Sequence, residues 1–284
     1  VYDKNGLVAV YIIPYNSNGV IWEVFEIKNG KVVPIQNTYK NVKGKKWWIE
    51  KKRVNEMGEM VVPFKYDEVW DFDEGLAAVK LKGKWGFIDK LGKEVVPLKY
   101  DEVWGFDEGL AAVMLNGNWG YINKSGKLVL PLKYDDASDF SEGLTSVKLK
   151  GKWGVIDKSG KEVVPPKYDK VWIFKEGLAG VKLKGKWGFI DKSGKEVVPL
   201  KYNGIFSFHE GLANVELNGK WGFVDKSGKE VVPLKYDGAG SFSEGLAIVG
   251  LNGKRGFVDK SGKEVVPLKY DETRGFNEGL AGVN

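Results

Sequence analysis

The sequence predicts an all-β repeat protein of 34-residue, four-stranded antiparallel meanders. Three observations predict it. A Trp-Gly pair recurs in register as Trp85-Gly86, Trp119-Gly120, Trp153-Gly154, Trp187-Gly188 and Trp221-Gly222, then changes to Arg255-Gly256. The turns between apolar runs are too short for parallel crossovers, which need about a dozen residues. No segment has a helical apolar period. A fixed period of this size marks an architecture in which neighbouring copies share one core.

One unit reads from Tyr66 to Lys99. Asp67-Phe72 is a strand and Asp73-Glu74-Gly75 a turn. Leu76-Lys82 is a second strand, closed by Gly83. Lys84-Lys90 is a third, and Leu91-Gly92 turns into a fourth, Lys93-Pro97. Asn218-Gly219 and Asn252-Gly253 are dipeptides that favour type I′ hairpins, because both central residues need positive φ. Proline cannot donate a ladder hydrogen bond, so Pro97 and its equivalents at 131, 165, 199, 233 and 267 are expected to end the sheet.

Both faces of each strand are apolar. Leu76 and Ala78 point one way; Ala77, Val79 and Leu81 point the other. Trp85 and Phe87 share a face opposite Ile88. Both faces therefore need cover. Small sheets sandwiched between neighbours meet that need, and radial stacking of such sheets is a β-propeller. In this arrangement Gly86 would leave room for a bulky group from the adjacent unit. An open superhelical array is the alternative, since a blade typically runs about 40–45 residues.

Residues 1–63 read as degenerate hairpin repeats, continuous with the regular repeats of 64–284. Val1-Gly6 followed by Val8-Val10 resembles the end of a third strand, its turn and a fourth. Trp22 to Pro34 and Trp47 to Pro63 read as two further hairpins. A ring could close by pairing Leu280-Val283 beside Val1-Lys4, which would remove exposed sheet edges. A cut from a longer array is the other reading. The chain opens at Val1 without a methionine, as a processed or trimmed polypeptide would.

Composition removes several function classes. With no cysteine among 284 residues, disulfides and cysteine-ligated metal sites are excluded. Lys and Arg number 44 against 38 Asp and Glu, a net charge of +6. Opposite signs alternate within each unit, as in Asp89-Lys90 and Lys93-Glu94, whereas nucleic-acid binding usually needs a stripe of one sign. Nucleic acid is therefore not the expected partner. No stretch approaches the roughly 18 apolar residues that span a bilayer.

The run Gly-Lys-Trp-Gly-Phe-Ile-Asp-Lys-Ser-Gly-Lys-Glu-Val-Val-Pro at 185–199 resembles the WG-repeat (KWG-type) family of bacterial proteins. The resemblance is strong from about Pro63 to Asn284 and weak before it. It implies a β-rich repeat module in a bacterial surface or interaction protein, with a cell-surface or secreted location. The family has no common activity to carry over.

The sequence offers little chemistry. His209 is the only histidine, so multi-histidine metal sites are ruled out. It occupies a slot that elsewhere holds Asp73, Asp107, Ser141, Lys175, Ser243 and Asn277, which reads as a turn surface. Asp-Glu pairs such as Asp67-Glu68 and Asp101-Glu102 recur in register, whereas a catalytic pair needs one special environment. No enzyme activity, cofactor or metal is expected.

The period is more useful as a ruler. Leu76, Gly83, Gly86, Lys90, Gly92 and Pro97 recur nearly everywhere and read as scaffold. The Trp70 position changes through Trp104, Ser138, Trp172, Phe206, Gly240 and Arg274. Its neighbour at Glu68 changes to Lys170 and Gly204, among others. A close-packed core position would rarely accept tryptophan, glycine and arginine alike. This first-strand strip, with Trp70, Trp104, Lys170, Trp172, Phe206 and Arg274, is the candidate partner-binding face. A protein partner is expected, because aromatics are enriched at hot spots. Polysaccharide bound by the repeated tryptophans is the alternative, with the invariant tryptophans themselves expected to be mainly core.

Overall fold

A computed structural model of the chain describes residues 10–12, 23–28, 31–34, 66–275 and 280–283. Within these residues there is no helix. Six four-stranded antiparallel sheets follow one another as simple meanders, at 68–100, 102–134, 136–168, 170–202, 204–236 and 238–270. The four-stranded meander expected from the sequence is therefore present. A three-stranded sheet precedes them, made of Val10–Ile12, Glu23–Lys28 and Lys31–Pro34. Its last two strands form the hairpin expected between Trp22 and Pro34. The expected hairpin at 47–63 and the proposed ring-closing strand at Val1-Lys4 lie outside the described residues. Val283 bridges Thr273, the equivalent of the first-to-second-strand pairs Val69–Val79, Ala137–Val147 and Ala239–Val249.

The contacts divide the chain into two compact units: 1–106 with 124–127, and 107–123 with 128–284. In the second unit, one face of each sheet packs on the opposite face of the next. Val155, Val164 and Tyr168 of one sheet meet Val171, Ala179, Val181 and Ile190 of its successor. Trp187, Phe189, Val198 and Tyr202 then meet Ile205, Ala213, Val215 and Val224. Edge-to-face ring pairs mark several of these joints, as in Phe189–Phe208 and Phe223–Phe242, both with centroids 4.8 Å apart, while Val155 stands opposite Phe174 at the joint between the 136–168 and 170–202 sheets. In the first unit, Tyr66, Val69, Ala77, Val79 and Ile88 form one buried cluster. Phe87 packs edge-on against Phe106 there, again at 4.8 Å. The expectation that both faces are covered is met: Leu76, Ala77, Ala78 and Val79 are all buried.

Two sequence expectations are corrected. The prolines do not end the sheet. The fourth strand runs on past them, as in Glu196–Tyr202, which contains Pro199. It escapes the cost of a missing N–H in two ways. It is an edge strand, and it bulges: Trp187 faces Tyr202 while Phe189 faces Val198. That bulge also explains the invariant glycine. A Cβ on Gly188 would lie 2.5 Å from the Val198 carbonyl oxygen and 2.9 Å from the Leu200 nitrogen. The clearance serves the bulged backbone of its own sheet and not a group from the neighbouring unit.

The first strand is also shorter than expected in four of the sheets. Lys170–Val171 pairs for two residues. Beyond it the pairing continues only through the bond from Trp172 N to Gly180 O and the reciprocal pair between Lys175 and Leu178. A register shift between Val69 and Phe72 marks the same irregularity in the 68–100 sheet.

The Glu-Gly turns tie successive sheets at their rims. Both residues have positive φ, for example 52° at Glu176 and 87° at Gly177. Left-handed geometry is unfavourable for glutamate, by roughly 1–2 kcal/mol. Its carboxylate supplies the compensation. Glu176 accepts from the Gly211 N–H at 2.9 Å and pairs with Lys226 at 3.2 Å. Glu108, Glu142 and Glu210 repeat the pattern on Gly143, Gly177 and Gly245. Burial acts to raise the Glu176 carboxyl, but Lys226 and the Gly211 N–H together hold it below its usual value. Lys260 does the same most strongly for Glu210.

Two predictions follow from this construction. Gly188→Ala forces a backbone clash and is expected to cost about 3 kcal/mol in urea unfolding. Gly185→Ala, at φ 82° with no neighbour within 4 Å, is expected to cost only about 1 kcal/mol. The carboxyls of Glu108, Glu176 and Glu210 lie lower when folded than when unfolded. The unfolded chain therefore binds more protons in acid, and this stabilisation, intact above about pH 5, is lost as pH falls through the folded values. Glu176→Gln is expected to lower the melting temperature by about 3 °C at pH 7, for a tie worth on the order of 1 kcal/mol. The difference should vanish in acid.

Candidate partner-binding face

The strip sits where the first strand meets the second. Five strip residues donate their backbone N–H to the carbonyl of the residue opposite: Ser138 to Ser146, Trp172 to Gly180, Phe206 to Asn214, Gly240 to Ile248 and Arg274 to Gly282. Its side chain leans toward the third-strand tryptophan of the same sheet. Trp70 lies 5.0 Å from Trp85, Trp172 lies 4.8 Å from Trp187, and Phe206 lies 5.3 Å from Trp221, all tilted. Trp70 and Trp104 also meet, at 6.5 Å.

Exposure varies along the strip. Trp70 and Trp172 are half-buried, while Trp104 and Phe206 are 42% and 48% exposed. Lys170 and Arg274 are exposed. The invariant tryptophans are deeper: Trp85, Trp119 and Trp187 are buried, and Trp153 and Trp221 half-buried. Arg255, which replaces one of them, is exposed and has Gly240 where the others have a ring or Ser138.

Size is compensated across the strand pair. Trp172 faces Gly180, the smallest partner, and Gly240 faces Ile248, the largest. A Cβ on Gly180 would come within 3.0 Å of the Trp172 ring and 2.7 Å of Ile205. Arg274 again faces a glycine, Gly282. Ser138 faces Ser146, and the two hydroxyls bond at 2.9 Å. Tyr121 adds a bond to the Ser138 carbonyl at 2.7 Å, and burial pushes its phenol well above the usual range. Variation in the strip therefore has a packing cause alongside any binding cause.

The repeat has a known counterpart. The family model described as WG containing repeat matches at 54–85, 85–119, 119–153, 153–187, 187–221, 221–254 and 256–284. The chain belongs to the WG-repeat family. No curated protein matches it in sequence. Among solved structures it is similar to a eukaryotic initiation factor, with a TM-score of 0.49, 9% identity, and coverage of 80% of this chain and 70% of that one. Hsv2 of Kluyveromyces lactis is similar with a TM-score of 0.41, 11% identity, and coverage of 67% and 73%. The extracellular domain of the putative one component system BT4673 from B. thetaiotaomicron is similar with a TM-score of 0.38, 9% identity, and coverage of 93% and 41%.

In this WG-repeat chain the recurrent acids have structural partners. Asp157 accepts from Ser159 and Lys161 to close the third turn, and its equivalents repeat this. Asp169 accepts from Lys152 Nζ at 2.6 Å and from Lys184 N at 2.8 Å. The Lys152 bond is the main reason its carboxyl stays low. His209 is half-buried, with its ring nitrogens 2.9 and 3.1 Å from Lys175 Nζ. Lys175 holds the same slot one repeat earlier, and there Ser141 likewise reaches the Phe174 carbonyl. The slot is thus a tie between successive WG repeats. Among the described residues no cluster of three or more His, Cys, Asp or Glu could hold a metal.

Sequence reasoning passed over two kinds of residue. One is the clamping glutamate, whose signal was its recurrence before every turn glycine together with a lysine fifty residues on. The other is the residue opposite each strip position, whose signal was the inverse size relation. That relation is testable by a double-mutant cycle. Gly240→Trp alone is expected to destabilise, and Gly240→Trp with Ile248→Ala to recover, with a coupling of about 1–2 kcal/mol. Additive costs in thermal melts would refute the compensation.

Proposed function

We propose that this WG-repeat chain is a non-enzymatic binding or scaffold module that holds a protein partner on the variable face of its first strands. One observation carries the reading: large rings stand exposed, at Trp104 and Phe206, in a position the repeat leaves free. Tryptophan and other aromatics at such sites supply much of the energy of protein recognition. The non-enzymatic part rests on the recurrent carboxylates, which close turns or tie sheets in register and give no unit a separate acid–base environment. Polysaccharide stacking finds less support, because Trp85, Trp119 and Trp187 are buried and offer no open ring face.

Serine is a fair probe residue, since the same position already holds Ser138. The variant carrying Trp104→Ser and Phe206→Ser should melt within a few degrees of the parent chain. It should also lose the partner that the parent captures from a native lysate. Equal capture of the same partner by the double variant would exclude the variable face.

A further inference from the structure

The repeat allows each sheet to be compared with its siblings, and one sheet differs in charge. A row of directly opposed residues crosses each sheet. In the 68–100 sheet it is Glu68, Lys80, Trp85 and Tyr100. In the 136–168 sheet it is Asp136, Lys148, Trp153 and Tyr168. In the 204–236 sheet it is Gly204, Glu216, Trp221 and Tyr236. In the 170–202 sheet it is Lys170, Lys182, Trp187 and Tyr202. The 68–100 and 136–168 sheets oppose an acid to a lysine at the head of this row, the 204–236 sheet opposes a glycine to a glutamate and the 238–270 sheet two glycines, whereas the 170–202 sheet opposes two lysines. Directly opposed side chains lie about 4.5–5.5 Å apart at Cβ, and like charges there are destabilising.

Among the described residues no carboxylate relieves the pair. Among the described residues Lys170 has no acidic partner, and Lys182 lies 5.4 Å over the Trp187 ring without a carboxylate. The adjacent Asp169 is already held by Lys152 and by the Lys184 N–H. The next unit removes a further acid. Lys152, Lys220 and Lys254 each pair with an aspartate, whereas the equivalent Lys186 meets Asn203. Two acids that the repeat supplies elsewhere are thus missing together, at 170 and 203, beside the strip residue Trp172. The half-buried Trp172 ring is seated on Trp187.

We infer that the outer row of the 170–202 sheet is a docking site for an acidic peptide segment of a protein partner, whose carboxylates lie between Lys170, Lys182 and Lys186 and whose apolar side chain rests on Trp172. The inference rests on the protein-binding reading above and names the chemistry of the partner. A peptide fits better than an acidic sugar. Trp187 is only 8% exposed and Trp172 is tilted against it, so no flat ring is open for stacking. A peptide needs only an apolar edge and a charge. The cost of the two opposed lysines is then recovered when the partner binds.

The test uses the full chain and a dye-labelled octapeptide of alternating Glu and Phe, read by fluorescence anisotropy. A Gln-for-Glu octapeptide and oligogalacturonate serve as controls. Lys170→Glu restores the opposed charges found in the 68–100 and 136–168 sheets, so its melting temperature should rise or stay level while affinity for the Glu peptide falls about tenfold or more. Lys182→Met, the residue found at Met114, should weaken binding in the same direction. The Gln peptide should bind the parent chain about tenfold less, and salt should weaken the Glu peptide. Unchanged binding by both variants overturns the inference, as does absence of Glu-peptide binding to the parent. Tighter, Lys170-dependent binding of oligogalacturonate than of the Glu peptide also overturns it, in favour of an acidic sugar. If Lys170→Glu keeps the captured protein that Trp104→Ser with Phe206→Ser loses, the acidic-peptide inference fails while the protein-binding reading stands.

Discussion

The described four-stranded sheets are apolar on both faces, and that single constraint organises the rest. A four-stranded sheet with Ala77, Val79 and Ile88 on one side and Trp85 and Phe87 on the other cannot expose either side without losing its main stabilisation. In the second unit one face of a sheet is therefore covered by its successor, as Phe189 and Trp187 are by Ile205, Phe208 and Val215. The hydrophobic term makes the sheets interdependent, so stability follows neighbouring interfaces more than any one unit. Arg255 shows how far a single sheet can depart. It loses its tryptophan, yet Phe257 and Val258 stay buried.

Packing sets how close the sheets come, and the rims set their register. Each Glu-Gly turn holds its glutamate in a left-handed conformation that a glutamate does not favour. The carboxylate then reaches the backbone and a lysine of later repeats. At the other rim, Lys152, Lys220 and Lys254 meet Asp169, Asp237 and Asp271. These bonds are partly exposed and individually modest. Their regular repetition in the second unit gives successive joints the same ties and leaves variation to positions that neither pack the joint nor tie it.

The first strand is where those demands relax. It lies at a sheet edge, pairs for as few as two residues, and then leaves the ladder. Its side chains can change size if the residue opposite changes inversely, as Trp172 and Gly180 do against Gly240 and Ile248. They can change charge if something outside the sheet answers it. Among the described residues the opposed Lys170 and Lys182 have no such answer, which separates them from variation that packing alone accounts for.

The sequence by itself determined the local structure. The 34-residue recurrence, the Asn-Gly and Glu-Gly turns and the two-sided apolar strands specify four-stranded meanders, because turn geometry and side-chain alternation depend on neighbours a few residues apart. It also located the strip from Trp70 to Arg274 as the place where repetition stops. It misread what depends on contacts across strands and between sheets. Pro199 was legible as a ladder breaker, but only the tertiary structure shows the bulge that carries the chain past it and presses on Gly188. The variability of Gly240 and Trp172 was legible, but not its compensation at Ile248 and Gly180, since those partners are set by register. Likewise each lysine of the 170–182 pair reads as an ordinary surface charge until the fold places the two face to face.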